Sequence, residues 1–417
     1  MEEYGYLWQL ALILMSTKFL GLLTKRYKMP QVVGALLAGL LLGPAVLGNL
    51  LSGVVIGGHH LENLALHQTD FIEHLSEIGV IVLMFCAGLE TDINELKKCG
   101  KASFIIAVLG VIVPLIGGGA FTYCFLEEGW IEASPDSSLF IQAVFVGVVL
   151  TATSVSITVE TLREMGKLNS NVGNALLGAA IIDDILGIIA LSVVSSFADT
   201  SVKVSVILLK IVLYFVVMAV VSFVLYKILK NWFMDKENFK RQVIAVIGLC
   251  LLLAYISEEY FGIADITGAF VTGLIISAVG LKKEKIMFAV DDLSYAFLSP
   301  IFFASIGLKL VLPKMSMIIV AFAIVLSIVA IISKLWGCAL GAKMFKFSNK
   351  ESLQIGAGMV SRGEVALIVA NKGVKLGIIS NVIFAPILIV VIITTIIAPI
   401  LLKLAFKEDK AKVSENT

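Results

Sequence analysis

The chain alternates between long apolar stretches and short polar connections. A stretch of about 18 or more mainly apolar residues is typical of a helix that crosses a bilayer. Thirteen such stretches predict an all-α, polytopic membrane protein with about 13 transmembrane helices. The predicted spans cover approximately residues 5–23, 30–49, 75–93, 102–125, 139–160, 170–197, 203–230, 240–259, 263–280, 288–311, 315–345, 352–374 and 379–406.

The polar connections differ in charge from one to the next. Lys and Arg cluster after every odd-numbered span, as in Lys25, Arg26 and Lys28 after the first and Arg163 and Lys167 after the fifth. The alternate connections are poor in basic residues and often acidic. Because connections rich in Lys and Arg stay in the cytoplasm, we expect the N-terminus outside the cell and the C-terminus inside. This orientation requires an odd number of spans, in agreement with the count.

The composition supports a membrane protein and argues against other classes. Hydrophobic residues make up 59% of the chain and charged residues only 15%, which is typical of a polytopic protein. The formal net charge is +1, and no basic tract suggests binding to nucleic acid. The five cysteines are scattered without the spacing of metal ligands. We expect no cofactor, and the cell membrane as the location, with membrane lipid around the spans.

Two adjacent carboxylates interrupt the sixth span. Asp183 and Asp184 lie within the sequence NALLGAAIIDDILGIIALSVV, with about ten uncharged residues on each side. An ionised Asp at the centre of a spanning helix costs about 2.5–3.5 kcal/mol on insertion scales. Intramembrane acids at this cost mark a functional site by default. The pair is therefore the first candidate site of the chain.

Two other spans carry polar residues at mid-depth. Thr153 and Ser154 lie in the fifth span, and Arg362 and Glu364 lie in the twelfth among several glycines. If spans one to six and eight to thirteen form two repeats, both interruptions occupy the fifth place, and the offset of seven inverts the second repeat. Paired discontinuous helices in inverted repeats indicate a transporter binding site near the midplane. We expect them to cross there, with Arg362 and Glu364 balancing the half-helix dipoles.

Lys334, in the eleventh span, is a further intramembrane charge that needs a partner. Asp183 and Asp184 are both candidates, and adjacent residues on a helix point about 100° apart. One acid can therefore face the lysine while the other faces a cavity. Two carboxylates and one ammonium leave one negative charge, which a monovalent cation would balance. Desolvation and like charge both favour proton uptake by carboxylates, so cation and protons would compete. Charge alone does not distinguish Na+ from K+ or Li+.

Six sequence segments carry a resemblance to a known family. They are PQVVGALLAGLLLGP, MFCAGLETD, LTATSVSITV, AAIIDDILGI, SPIFFASIGLKL and SRGEVALIVANKG. In this order they resemble the monovalent cation:proton antiporter superfamily, in particular the bacterial sodium/proton antiporter branch related to glutathione-gated potassium-efflux systems. The resemblance covers about residues 5–406 and implies the sodium/proton antiporter fold.

The resemblance also implies roles for individual residues. Asp184 would be the essential carrier of Na+ and H+, and Asp183 would pair with Lys334. The unwound segment would fall at Thr153 and Ser154. An acid pair with a partner lysine resembles the electrogenic members of the superfamily. We therefore expect exchange of Na+ for H+ by alternating access, with Li+ as a second candidate ion, in a homodimer that contributes to pH homeostasis.

The family's fold divides into a six-helix core and a dimerisation panel. By position in this chain, the transmembrane antiporter domain would cover residues 1–406 and be followed by a short cytoplasmic tail. The predicted parts are a core at about 102–197 and 315–406, a panel at about 5–93 and 240–311, a linker helix at about 203–230, and the tail at 407–417.

Other classes of protein also place charges inside a membrane. A gated potassium channel needs a carbonyl filter such as a TVGYG loop, which the sequence lacks. An intramembrane aspartyl protease needs acids from separate helices that converge on one water. Asp183 and Asp184 are neighbours that diverge, so we do not expect an enzyme. A K+/H+ antiporter stays open as the main alternative, and a sodium-coupled organic-anion symporter as a weaker one.

Overall fold

The computed structural model describes most of the chain. The described residues are 5–27, 29–51, 55–56, 59–60, 66–67, 69–198, 204–233, 239–280, 283–309 and 316–407. The tail expected at 407–417 therefore lies, apart from Lys407, outside the described residues.

Helices dominate the described part of the chain. They are α1 (Gly5–Arg26), α2 (Gln31–Leu42), α3 (Asn49–Leu51), α4 (Asp70–Glu90), α5 (Ile93–Glu127), α6 (Leu139–Thr151), α7 (Val155–Glu164), α8 (Asn171–Ala198), α9 (Val204–Phe233), α10 (Phe239–Phe261), α11 (Asp265–Val279), α12 (Lys283–Leu293), α13 (Ser299–Leu308), α14 (Met317–Met344), α15 (Asn349–Gly358), α16 (Glu364–Lys375) and α17 (Asn381–Phe406). Two π-helical turns, Pro44–Gly48 and Ser294–Leu298, continue α2 and α12. Two two-residue strands, β1 (Val55–Ile56) and β2 (His59–His60), pair antiparallel.

The helices confirm the predicted membrane spans. Within the described residues, 11 helical segments are long and apolar enough to cross a bilayer. The two remaining predicted spans correspond to α11 and to the interrupted pair α15 and α16. At 1.5 Å per residue, the 15 residues of α11 extend only about 22 Å. This short helix is buried along most of its length by its neighbours, so it need not match the full thickness of the lipid.

Several helices begin before the apolar stretch that predicted them. The fourth span was expected from 102, but α5 begins at Ile93, where the Asp92 carboxylate accepts the Asn94 N–H at 2.7 Å. The third was expected from 75, but α4 begins at Asp70 and is capped by the Thr69 side chain. Polar caps of this kind satisfy the free N–H groups of a first turn. Hydrophobicity marks only the part of a helix that lies in lipid.

The helices pack in two groups. In one group, α5 packs on α6, α8 and α14, and α14 packs on α15 and α17. In the other, α4 packs on α11 and α13, and α2 packs on α1 and α13. Helix α9 lies between the groups, in contact with α8, α10 and α11. Movement of one group against the other stays a prediction.

The two interrupted spans run in opposite directions. Ser134, before α6, donates a hydrogen bond from Oγ to the carbonyl of Gly377, after α16, at 2.7 Å. Ser380 Oγ in turn donates to the carbonyl of Glu132 at 3.0 Å. Helix α6 also packs on α16. The start of one span therefore meets the end of the other, which agrees with the predicted inverted repeats.

Candidate functional site

The two interrupted spans contact each other where their helices break. Residues 152–154 and 360–363 are not helical. The Ser154 N–H donates to the Ser361 carbonyl at 2.8 Å, and Ser361 Oγ donates to the Ser154 carbonyl at 2.9 Å. A Cβ atom on Gly363 would lie 2.8 Å from Ser154 Oγ, so glycine permits this close approach. The crossing of discontinuous helices expected from the sequence is present.

The C-terminal end of α6 is satisfied by two cationic side chains. Lys334 Nζ donates to the Thr151 carbonyl at 2.6 Å, and Arg362 Nη2 donates to the Leu150 carbonyl at 2.6 Å. Arg362 Nη2 also donates to the Ala330 carbonyl at 3.2 Å. A helix C-terminus carries about half a negative charge, so both cations lie where the backbone favours them.

The C-terminal end of α15 is satisfied by hydroxyl groups instead. Thr158 Oγ1 donates to the Gly358 carbonyl at 2.6 Å, and Thr153 Oγ1 donates to the Met359 carbonyl at 3.4 Å. Thr158 Oγ1 also lies 3.0 Å from Ser361 Oγ. These hydrogen bonds satisfy carbonyl groups that have no partner within the helix, and they add no charge.

Lys334 forms an ion pair with the first of the two acids. Its Nζ lies 2.7 Å from Asp183 Oδ1, and the two residues are 0% and 2% exposed. Asp183 Oδ2 is buried and has no hydrogen-bond partner among the described residues. A Cβ atom on Gly110 would lie 2.6 Å from Cys338 Sγ, so this glycine permits the close approach of α5 to α14 beside the lysine. The lysine thus has carboxylate and carbonyl partners, and one carboxylate oxygen remains available for a ligand.

Asp184 and Glu364 are positioned by their helices. Asp184 follows Asp183 in α8 and is half-buried, at the expected angle of about 100° from its neighbour. Glu364 is the first residue of α16, where a helix dipole favours a carboxylate. Its side chain lies outside the described part of the chain.

Sequence reasoning missed two hydroxyl residues at the crossing, Thr158 and Ser361. Thr158 is four residues after Ser154, so it lies on the same face of α7. Ser361 directly precedes the charged pair of the twelfth span. Their position beside the two breaks was the available signal. No group of acids, histidines and cysteines suited to a metal ion occurs among the residues that the structure describes.

Comparison with known proteins decides the family. The family described as "Sodium/hydrogen exchanger, transmembrane" matches residues 11–408. The chain belongs to this family. It is 39% identical to the Na+/H+-K+ antiporter GerN of Bacillus cereus, over 98% of each chain. It is 35% identical to a Na+/H+ antiporter of Enterococcus hirae, over 94% of this chain and 96% of the relative.

The fold of a solved sodium proton antiporter is also similar. The sodium proton antiporter MjNhaP1 of Methanocaldococcus jannaschii matches with a TM-score of 0.68 and 19% identity, over 98% of this chain and 99% of that one. The family match and the apolar helices make this chain a multi-pass membrane protein. The family consists of transporters and not of enzymes.

Proposed function

We propose that this protein exchanges Na+ for H+ across the cell membrane, with the cation and protons competing for Asp184 and Asp183. The observation that carries the proposal is the buried Asp183–Lys334 pair, next to Asp184 on α8 and beside the crossing of two broken helices. Membership of the sodium/hydrogen exchanger family supports it. The names of the relatives from Bacillus cereus and Enterococcus hirae point the same way.

The charges at the crossing suit one monovalent cation. Asp183, Asp184 and Lys334 carry two negative charges and one positive charge when ionised, a formal sum of −1. Arg362 donates to the Leu150 carbonyl at the C-terminal end of α6, where its charge balances the helix dipole. Protonation of one carboxylate neutralises the set in the absence of a cation, and Na+ neutralises it when the proton leaves. Desolvation makes the fully ionised, empty state unfavourable, so one ligand replaces the other.

Lys334 gives the exchange its proposed electrogenic character. Its ammonium group occupies Asp183 Oδ1, the carboxylate beside the proposed carrier. A cation that enters the site weakens this ion pair because the two positive charges repel each other. Exchange of one carboxylate proton for one Na+ moves no net charge, so electrogenic exchange requires a second proton, which we propose leaves from the Asp183–Lys334 pair as this ion pair weakens.

The proposed movement follows the two groups of helices. The group that contains α8, α14 and the crossing would carry the site past the group that contains α2, α4 and α13. With the N-terminus outside, as the basic connections suggest, the ends of α7 nearest Glu164 face the cytoplasm. The homodimer expected from the family resemblance stays a prediction.

The ion itself needs a direct test, since one relative is named for both sodium and potassium. Purified protein in proteoliposomes with an acidic interior and a fluorescent proton probe would receive Na+, Li+ or K+ in turn, with the membrane voltage clamped and then varied. We expect Na+ to alkalinise the interior in a voltage-dependent manner. A response to K+ alone would establish the potassium alternative.

The matched variants are Asp184→Asn and Asp292→Asn. Asp292 is likewise the second member of an adjacent aspartate pair, but it is exposed. We expect Asp184→Asn to abolish exchange and Asp292→Asn to leave it intact. Robust Na+-dependent proton movement by folded Asp184→Asn protein would refute the assignment of Asp184 as carrier.

A further inference from the structure

A separate cavity lies between α1, α2, α7 and the start of α13. Its volume is about 380 Å³, whereas a water needs only about 10–15 Å³ of such volume. Residues of the crossing do not line it. Its polar wall residues are Thr17, Lys18, Gln31, Glu160, Glu164, Tyr295 and Ser299.

Glu160 is the unusual residue in this wall. It is only 6% exposed, and its Oε2 atom has no hydrogen-bond partner among the described residues. A buried carboxylate oxygen without a partner is unfavourable unless a cation, a proton or water satisfies it. Glu160 lies six residues after Ser154 on α7, which corresponds to about 9 Å along the helix axis. The cavity is therefore close to the crossing.

The other charged groups near Glu160 have partners. Glu164 accepts the N–H groups of Gln31 at 2.6 Å and Val32 at 3.0 Å, and so caps α2. Arg163 Nε donates to Glu90 Oε1 at 2.7 Å. Arg163 also forms an ion pair with Asp291 on α12. Unlike Glu164, Glu160 neither caps a helix nor forms an ion pair in the described part of the chain.

The charge of the cavity wall favours a cation. Glu160 and Glu164 contribute two negative charges and Lys18 one positive charge. The Lys18 ammonium lies 5.8 Å from the centre of the Tyr295 ring. The hydroxyl groups of Thr17 and Ser299 add oxygen ligands of the kind that hydrated alkali cations accept.

We propose that this cavity is a second binding site for a hydrated monovalent cation, with the Glu160 carboxylate as its anionic ligand. The cation binds there, on the α7 side of the crossing, before it moves to Asp184. The inference rests on the proposed function, because it assigns this site to the same transported ion. It gives a role to Glu160, which is not one of the residues in the charge balance at the crossing.

Glu160→Gln tests the site through transport. The matched control is Glu77→Gln, which changes an exposed glutamate of α4 in the same way. We expect Glu160→Gln to raise the Na+ concentration for half-maximal exchange about 5-fold, as expected for loss of the attraction between unit charges about 4 Å apart in water. The maximal rate should change less, and Glu160→Asp should restore part of the affinity. Lys18→Gln, which removes the opposing charge, should lower that concentration.

A labelling experiment reads the cavity without transport. Ala296 lines the cavity and is exposed. Cys124 is exposed and the other four cysteines are buried, so Ala296→Cys in a Cys124→Ser background provides a reporter thiol. In detergent, a cationic methanethiosulfonate should react faster than an anionic one, Na+ should slow the cationic reagent, and Glu160→Gln should remove both effects. Unchanged Na+ affinity together with an unchanged reagent preference would overturn the second site. Failure of the central assignment is separate, because it would show as full exchange by Asp184→Asn.

Discussion

The carbonyl groups at the two helix breaks are satisfied by different kinds of side chain. At the first break, the carbonyls of Leu150 and Thr151 accept hydrogen bonds from Arg362 and Lys334. At the second break, the carbonyls of Gly358 and Met359 accept hydrogen bonds from threonine hydroxyls. Arg362, which lies in the second break, also donates to the Val360 carbonyl, so it contacts both breaks, whereas the Lys334 ammonium contacts the first.

The difference gives the crossing an electrical direction. Lys334 bridges the end of α6 and Asp183 of α8, so positive charge stands between a negative helix end and the acid pair. The threonine hydroxyls at the second break are neutral donors. We infer that charged groups at the first break control which ions enter, whereas hydroxyls at the second hold the two breaks in register.

Arg362→Gln should have the largest effect on this arrangement. The side chain is 1% exposed and donates to three carbonyls, of Leu150, Ala330 and Val360. Hydrogen bonds from a charged group contribute about 1.5–3 kcal/mol each, although losses within one cluster are not additive. We expect a marked fall in the thermal unfolding midpoint in detergent and loss of exchange.

Arg241→Gln, at an exposed position, is the control for Arg362→Gln, and Arg362→Lys should recover part of the stability. An unfolding midpoint of Arg362→Gln equal to that of wild type would show that the first break does not depend on this cation.

Lys334→Gln should have an intermediate effect. It removes the buried positive charge and leaves the Asp183 carboxylate buried without its ion pair, which is unfavourable. We expect exchange to continue at a reduced rate, with a weaker response to membrane voltage in proteoliposomes. Lys101→Gln, on the exposed surface, should retain the wild-type response. An unchanged voltage response of Lys334→Gln would remove the lysine from the charge scheme.

Thr158→Val should have the smallest effect, since it removes a neutral donor. A neutral hydrogen bond contributes about 0.5–1.5 kcal/mol, and interhelical side-chain bonds in a membrane average about 0.6 kcal/mol. We expect a small fall in the unfolding midpoint and little change in the voltage dependence of exchange. A loss of voltage dependence comparable to that of Lys334→Gln would contradict the distinction between the Lys334 contacts of the first break and the hydroxyl contacts of the second.

The sequence alone predicted the spans and both helix breaks, but not the partners of the charged groups. Apolar length located the spans, and polar residues at mid-depth located both breaks. Spacing alone left open which acid pairs with Lys334, because neighbours on a helix differ only in direction. The carbonyl partners of Arg362 could not be predicted either. Every residue has a backbone carbonyl, so the sequence does not indicate which ones accept a hydrogen bond. Glu160 was not identified from the sequence because it lies near the end of an apolar span, where a glutamate is ordinarily in water.

The central claim is that Na+ displaces a proton from Asp184. Calorimetric titration of Na+ into purified protein, in two buffers of different protonation enthalpy at the same pH, measures the protons released for each Na+ bound. We expect release from wild type and Asp292→Asn, and neither release nor comparable binding with Asp184→Asn. Equal proton release from folded Asp184→Asn protein, or Na+ binding to wild type without proton release, would contradict the account.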